Sequence, residues 1–396
     1  MERVHMKTAL CHALLIGIDY YEPNQLYKSL KGAVRDINLV ETFLTQNLNI
    51  PPEQICKLVS PEQADTVLSA IRSAQGPAPQ KPTYENIVKA FNRITDTAQP
   101  GDQVYIHYSG HGGRATTVYP NLKRGSGEQY DEGLVPMDIG DTSAGRYLRD
   151  VEMTTLLKRM TDKGLIVTVV LDSCHSGGAT RGDAEIRSAT QPDTRSRNAE
   201  SLVAPREELE RNWLEQTRHV DTSAAGLPQA RDYVLLAACR PNEFAYEYAI
   251  NGGTERNGGL TYWMIDTLTS VATQGRPLTY KQLHDRVQAQ IQSRFPQQLP
   301  MILGESDRRV FGSDTWAIPY TVLVQAVDLD QGQVTLGAGQ AQGLSKGARF
   351  AIYPLNTTDF TVLEKRVAIV EIDKKPDADK SRAKLLAPEA GGIDMV

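Results

Sequence analysis

Cysteine is scarce, and the four that occur in 396 residues, Cys11, Cys56, Cys174 and Cys239, lie far apart with no C-x-x-C spacing. That excludes a disulfide framework and a zinc ribbon as organising devices. Long apolar runs are lacking as well. The longest near the start, Ala13-Leu14-Leu15-Ile16-Gly17-Ile18, is too short to span a bilayer, stops at Asp19 and has no cleavage-site pattern behind it. It reads as a buried first strand, and the expectation is a cytoplasmic protein with no membrane partner. A basic excess is missing too, since the formal net charge is -5, which argues against nucleic acid as the main partner. No internal repeat of fixed period occurs.

What is present is a soluble globular composition with 40% apolar residues. The length exceeds what one hydrophobic core usually fills, so a large domain and a smaller one are expected. Apolar β-branched runs recur at Ala13 to Ile18, Ile55 to Val59, Val104 to Tyr108, Ile166 to Leu171 and Tyr233 to Ala237. Their continuous character marks strands buried on both faces. Between them lie helical periodicities, one placing Ala33, Ile37, Val40 and Leu44 on one face and Arg35, Asn38 and Glu41 on another. This alternation predicts an α/β fold with a mostly parallel, helix-covered sheet.

Residues 181–231 depart from that pattern, with eight arginines, no lysine and no strand-like run, and read as a functional or flexible loop. After Phe311-Gly312-Ser313 the pattern changes again. Tyr320 to Val327, Val334 to Leu336, Arg349 to Tyr353 and Val367 to Ile372 read as short strands between Gly-rich and Asp-rich turns. A small separate β-rich domain over 316–396 is expected, its role open.

Two segments carry the chemistry. One strand ends in Tyr108-Ser109-Gly110-His111-Gly112-Gly113 and another in Asp172-Ser173-Cys174-His175-Ser176-Gly177-Gly178. Ligands bind at the carboxyl ends of parallel strands, and three segments deliver polar groups there: Asp36 near the start of the first helix, Ser109 with His111, and Asp172 with Cys174. Cys174 is the candidate nucleophile and His111 the base that then protonates a leaving amine. The backbone amides of Gly112 and Cys174 are candidates for an oxyanion hole. Asp36 and Asp172 would attract a guanidinium or ammonium before the scissile bond, so the expected preference is Arg, then Lys. The bland alternatives are that Asp36 complements its helix N-terminus and that Asp172 bonds loop amides. His107, His111, Cys174 and His175 are the residues a zinc site would use, but their spacing is not that of zinc motifs. No metal and no cofactor is therefore expected.

With these residues in place, the chain resembles the caspase-like cysteine peptidases, and among them the prokaryotic metacaspases called orthocaspases. The anchors are Leu30-Lys31-Gly32-Ala33-Val34-Arg35-Asp36, the two segments around His111 and Cys174, and in support Gly17-Ile18-Asp19-Tyr20-Tyr21 and Gly258-Gly259-Leu260-Thr261-Tyr262. The resemblance implies a three-layer α/β/α sandwich on a mostly parallel six-stranded sheet over 1–313. Within that, 1–180 would be the large-subunit-like part, 181–231 a processing loop and 232–313 the small-subunit-like part. It implies a His111 and Cys174 dyad, and Asp36, Ser109 and Asp172 lining a pocket for basic residues. It further implies protein or peptide substrates with Arg or Lys before the cut, and a monomer.

Family members commonly process themselves between the two parts, and the candidate sites are Arg187, Arg195, Arg197, Arg206 and Arg218, among which the sequence does not choose. Many eukaryotic metacaspases use an acidic cluster for calcium activation. Here Pro136-Met137-Asp138 is followed by Arg149-Asp150-Val151-Glu152, so the expected Asp pair is broken by Val151, and Arg181 stands where a later acid would be. Losing oxygen donors from a site that needs six or more predicts calcium-independent activity, with Asp131, Glu132, Asp138 and Asp150 left as a weaker set. The rival readings are a non-proteolytic signalling or scaffold module and another acyl transfer by the same dyad.

Overall fold

The computed structural model describes residues 10–62, 79–123, 129–174, 184–217, 232–240, 243–249, 255–274, 278–315, 321–340, 344–354, 357, 360, 362–377 and 380–388. It divides into two compact units, Met1–Trp316 and Ala317–Val396.

The first unit is built on a six-stranded sheet. Its members are β1 (Cys11–Ile18), β2 (Ile55–Ser60), β3 (Gln103–Ser109), β7 (Ile166–Asp172), β9 (Tyr233–Ala237) and β12 (Met301–Gly304), in the order β12-β9-β7-β3-β1-β2. All neighbours are parallel except β12, which runs antiparallel to β9. The five apolar runs of the sequence are the five parallel strands. β12 completes the sheet as an edge, and its half-buried Met-Ile-Leu-Gly stretch is too short to announce itself by pattern.

Helices cover both faces. Asp19, just past β1, accepts from the amides of Ala33 at 2.8 Å and Val34 at 3.3 Å, and so supplies from across the chain the cap that helix Ala33–Gln46 lacks locally. Ala33, Ile37, Val40 and Leu44 are all buried on that helix. Gly17 lets it come close: a Cβ there would stand 2.8 Å from Ile37. Helices Tyr84–Thr97 and Tyr280–Gln292 begin at Thr83 and Thr279, whose hydroxyls accept from the amides of Asn86 and Gln282. Helices Asp150–Asp162 and Gly259–Gln274 complete the layers. No helix among the described residues is long and apolar enough to cross a membrane.

Two small antiparallel sheets stand beyond the carboxyl ends of β1, β3 and β7. One is β4 (Gly112–Thr116), β5 (Tyr130–Leu134) and β6 (Leu148–Arg149); the other is β11 (Arg256–Gly258), β10 (Tyr246–Ala249) and β8 (Glu185–Ile186). β8 corrects an expectation. The arginine-rich segment was read as free of strands, yet residues 184–217 carry β8 and the helix Arg206–Thr217. A two-residue strand that depends on β10 for its hydrogen bonds has no period of its own to detect.

The second unit is a five-stranded antiparallel sheet, β13 (Val324–Asp328), β14 (Gln333–Leu336), β17 (Ser381–Pro388), β16 (Ala368–Ile372) and β15 (Arg349–Ile352), in that order. Val334, Leu336, Ile352, Val370, Ile372 and Ala383 form its core. β17 was not expected, because Ser381-Arg382-Ala383-Lys384 buries only alternate small residues.

Candidate active site

Register places the polar groups. Ser109, the last residue of β3, lies opposite Asp172, the last of β7, and Gly17 of β1 lies on the other side of Ser109. Asp36 comes to the same point from the first turn of helix Ala33–Gln46, and Cys174 follows β7 by two residues.

These groups surround Arg187, whose side chain is fully buried. Its Nη1 donates to Ser109 Oγ at 2.7 Å and its Nη2 to Asp36 Oδ2 at 2.8 Å and Glu247 Oε2 at 3.2 Å. Asp172 contributes its carbonyl oxygen at 3.1 Å and a carboxylate oxygen at 3.2 Å, the latter an ion-pair contact without hydrogen-bond alignment. Ser109 Oγ in turn donates to Asp36 Oδ2 at 2.7 Å. Burial pushes the Asp36 carboxyl up to about 7, with Arg187 pulling it down and Asp172 adding to the rise. Asp19, beside Glu247, is raised to about 8, mainly by burial. Arg187 itself is held protonated, because the three carboxylates outweigh its desolvation.

The backbone of Arg187 is held as firmly as its side chain. Its carbonyl oxygen accepts from the amide of Gly112 at 3.0 Å and the amide of Cys174 at 3.3 Å, and its own amide donates to Ala245 O at 3.1 Å. An arginine carbonyl oxygen thus sits between two backbone N-H donors, one of them the amide of Cys174.

Cys174 is buried. Burial alone would raise its thiol, but contacts with the Cys239 and Ser188 side chains, the Ala245 backbone and the Arg187 charge bring it below the ordinary thiol range. Cys239 moves the other way, raised by its hydrogen bond to Cys174 and by burial. His111 packs between the rings of Tyr21 and Tyr27, at centroid distances of 5.0 and 5.4 Å. Its Nε2 lies 2.8 Å from Lys28 O, a carbonyl that can only accept, so Nε2 carries the proton and Nδ1 keeps a free lone pair. Burial lowers His111 to about 4, so the ring is neutral. Nδ1 is buried with no hydrogen-bond partner among the described residues.

His107 is a different histidine. Thr261 Oγ donates to Asp172 Oδ2 at 2.7 Å and so receives the Nε2 proton of His107 at 2.9 Å, leaving Nδ1 to accept from Tyr105 Oη at 2.9 Å. Both nitrogens are occupied, and neither is open to a metal. Burial lowers this ring to about 3. Among the described residues no group of three or more His, Cys, Asp or Glu is placed to hold a metal ion. Three acids of the weaker calcium set already have partners: Asp150 is paired with Lys123 Nζ at 2.5 Å, Asp131 with Arg149 Nη1 at 2.7 Å, and Asp138 accepts from the Tyr84 amide at 2.9 Å, while the fourth, Glu132, keeps a buried Oε2 with no hydrogen-bond partner among the described residues. Two buried cations in such a cluster do not fit a calcium ion.

The other arginines are disposed differently. Arg197 is buried with Asp193 at 2.7 Å and donates to the carbonyls of Ile139, Gly140 and Thr142. Arg195 pairs with Asp193 and Asp141, and Arg206 opens helix Arg206–Thr217 exposed, paired with Glu210. His175, Arg181 and Arg218 lie outside the described residues.

Residues 11–181 match the family model for the metacaspase peptidase C14 domain. Over this span the chain is similar to the metacaspases. Similar curated proteins are Metacaspase-1A of Aspergillus niger, 33% identical over 42% of this chain and 36% of that one, and Metacaspase-1A of Aspergillus fumigatus, 34% identical over 42% and 35%. Metacaspase-1 of Emericella nidulans is 32% identical over 42% and 36%. The chain spans about a third of the length of these relatives. A solved structure from Geobacter sulfurreducens superposes with a TM-score of 0.42 at 17% identity, over 80% of this chain and 100% of that one, too loosely to carry an argument. The metacaspase match ends before Arg187, β10 and β11, so what the second half contributes rests on geometry.

That second half supplies residues the sequence reading missed. Glu247 comes from β10, and Asn257 Nδ2 and the Gly258 amide bond Asp36 Oδ1 at 2.8 and 3.2 Å. The available signals were an acid set between aromatics in Tyr246-Glu247-Tyr248, and Asp19 ending an apolar strand.

Proposed function

We propose that this chain is a metacaspase-like, arginine-directed cysteine endopeptidase acting through Cys174 and His111, and that the Arg187–Ser188 bond of its own chain is its first substrate. The observation that carries this is the double capture of Arg187, guanidinium among Asp36, Ser109, Asp172 and Glu247, carbonyl oxygen between Gly112 N-H and Cys174 N-H.

The Cys174 proton passes to Nδ1 of His111, and the sulfur attacks the Arg187 carbonyl carbon. The carbonyl electron pair moves onto oxygen, where the amides of Gly112 and Cys174 stabilise it. Collapse breaks the C-N bond as His111 returns the proton to the Ser188 nitrogen, leaving a thioester. Water, with its proton drawn by Nδ1, then releases the Arg187 carboxylate and restores the thiol. A guanidinium makes two-pronged contacts in a planar fork that an ammonium does not, so arginine is preferred to lysine. Lys123 and Arg149, seated among the acids, support activity without calcium.

Intact-mass measurement of purified protein tests the reading. Wild type should yield a fragment beginning at Ser188 and cut arginine peptides, and Cys174→Ala should stay whole and inactive. A wild type that remains whole and leaves arginine peptides untouched would overturn it in favour of a non-proteolytic module.

A further inference from the structure

The chain in the cleft extends beyond its arginine. β8 pairs antiparallel with β10, Ile186 opposite Tyr246 and Glu185 opposite Glu247, and the pairing continues through the Arg187 amide to Ala245 O. Main-chain pairing of this kind accepts any sequence, and selection falls to the side chains, which alternate between faces. Arg187 and Glu185 share the face of Glu247. Ala184 and Ile186 take the other, and both are buried in the apolar cluster that holds Ala245, Tyr246, Tyr248 and Leu260. The Tyr246 ring facing Ile186 is itself fixed by stacking on Phe295 at 4.7 Å. Past the cut, Ser188 bridges Gly112 and Ala189 is buried, whereas Thr190 and Gln191 are exposed.

Resting on the function proposed above, we infer that the cleft reads extended peptides as a third strand on β10, with three side-chain selections besides arginine. The residue immediately before the arginine is aliphatic, where Ile186 lies. The residue three before it is small, where Ala184 lies. The second residue after the cut is small, where Ala189 lies. Substrates in trans are therefore unfolded or loop segments of the pattern small-x-aliphatic-Arg-x-small. The residue at the position of half-buried Glu185 is selected less.

The test uses the full-length wild type after self-cleavage and internally quenched peptides containing Ala-Glu-Ile-Arg-Ser-Ala. In separate peptides Ile becomes Gly or Asp, the first or last Ala becomes Trp, and Arg becomes Asp. Losing a buried aliphatic group should lower kcat/KM about tenfold or more for Gly, and further for Asp. Each Trp peptide should be cut at least about tenfold more slowly, since neither alanine site has room. Tyr246→Ala should bring the Ile and Gly peptides together while the arginine requirement remains. Equal rates for Ile and Gly with arginine still required, or free acceptance of Trp, would overturn the inference and leave the peptidase standing. If no arginine peptide is cut, both fall.

Discussion

The amide of Cys174 donates to the carbonyl oxygen of Arg187 at 3.3 Å. The residue that would attack and the residue that would be attacked are therefore joined by the bond that activates the reaction, within one chain. The same arginine is the only cation within hydrogen-bonding distance of Asp36, Asp172 and Glu247 together among the described residues.

Removing that cation has a thermodynamic cost. Arg187→Gln leaves buried carboxylates uncompensated and should lower the unfolding free energy by about 3–5 kcal/mol at neutral pH. Asp36, raised to about 7 even with Arg187 present, contributes stability that is full below its ordinary value and lost as pH rises through 7. Without the guanidinium that upper limit moves higher, so the deficit of the variant should shrink on acidification from pH 8 to 5. Chemical denaturation of both proteins in a Cys174→Ala background checks this, and a deficit that grows on acidification would contradict it.

Gly258 forms the pocket wall. A Cβ there would overlap Nη1 of Arg187 and the carboxylate of Asp172. Gly258→Ala should therefore cut kcat/KM for arginine peptides roughly a hundredfold, about 2.7 kcal/mol, and lower the melting temperature as well, because Arg187 and the Asp172 carboxylate must give way. Full activity in that variant would place the pocket elsewhere.

The pH profile separates the pocket from the base. His111 is neutral down to about 4, whereas Asp36, pushed up to about 7 by burial, must be ionised to bind arginine. The acid limb of kcat/KM should have its midpoint at 7 or above, and Asp36→Asn should weaken arginine peptides while abolishing that limb. A midpoint near 4 would assign the limb to His111.

Calcium should change nothing in the wild type, since Lys123 and Arg149 already pair with Asp150 and Asp131. Rates measured with calcium and with a chelator should agree. Lys123→Gln strands Asp150, whose carboxyl burial holds at about 7, and should cost about 3 kcal/mol of stability at pH 8. A large calcium stimulation of the wild type would refute the argument.

The sequence by itself determined the parallel sheet, because five buried strands must be continuously apolar, and it marked His111 and Cys174, because glycines follow both at strand ends. It also marked Asp36, Ser109 and Asp172 through the same strand-end logic. Only the tertiary structure decided which arginine fills the pocket. Arg187, Arg195, Arg197 and Arg206 look alike in sequence, each a basic residue in polar surroundings, and what separates them is non-local. Arg187 is docked by β10, nearly sixty residues downstream, as Tyr246 pairs with Ile186, while Arg197 is spent on Asp193 and the carbonyls of 139–142. Glu247 and Asn257 were invisible for the same reason, and Gly258 was marked only as a supporting anchor of the resemblance, without its place in the pocket wall. A pocket wall made by two short strands carries no period of its own, and its meaning appears only when the chain closes around the guanidinium.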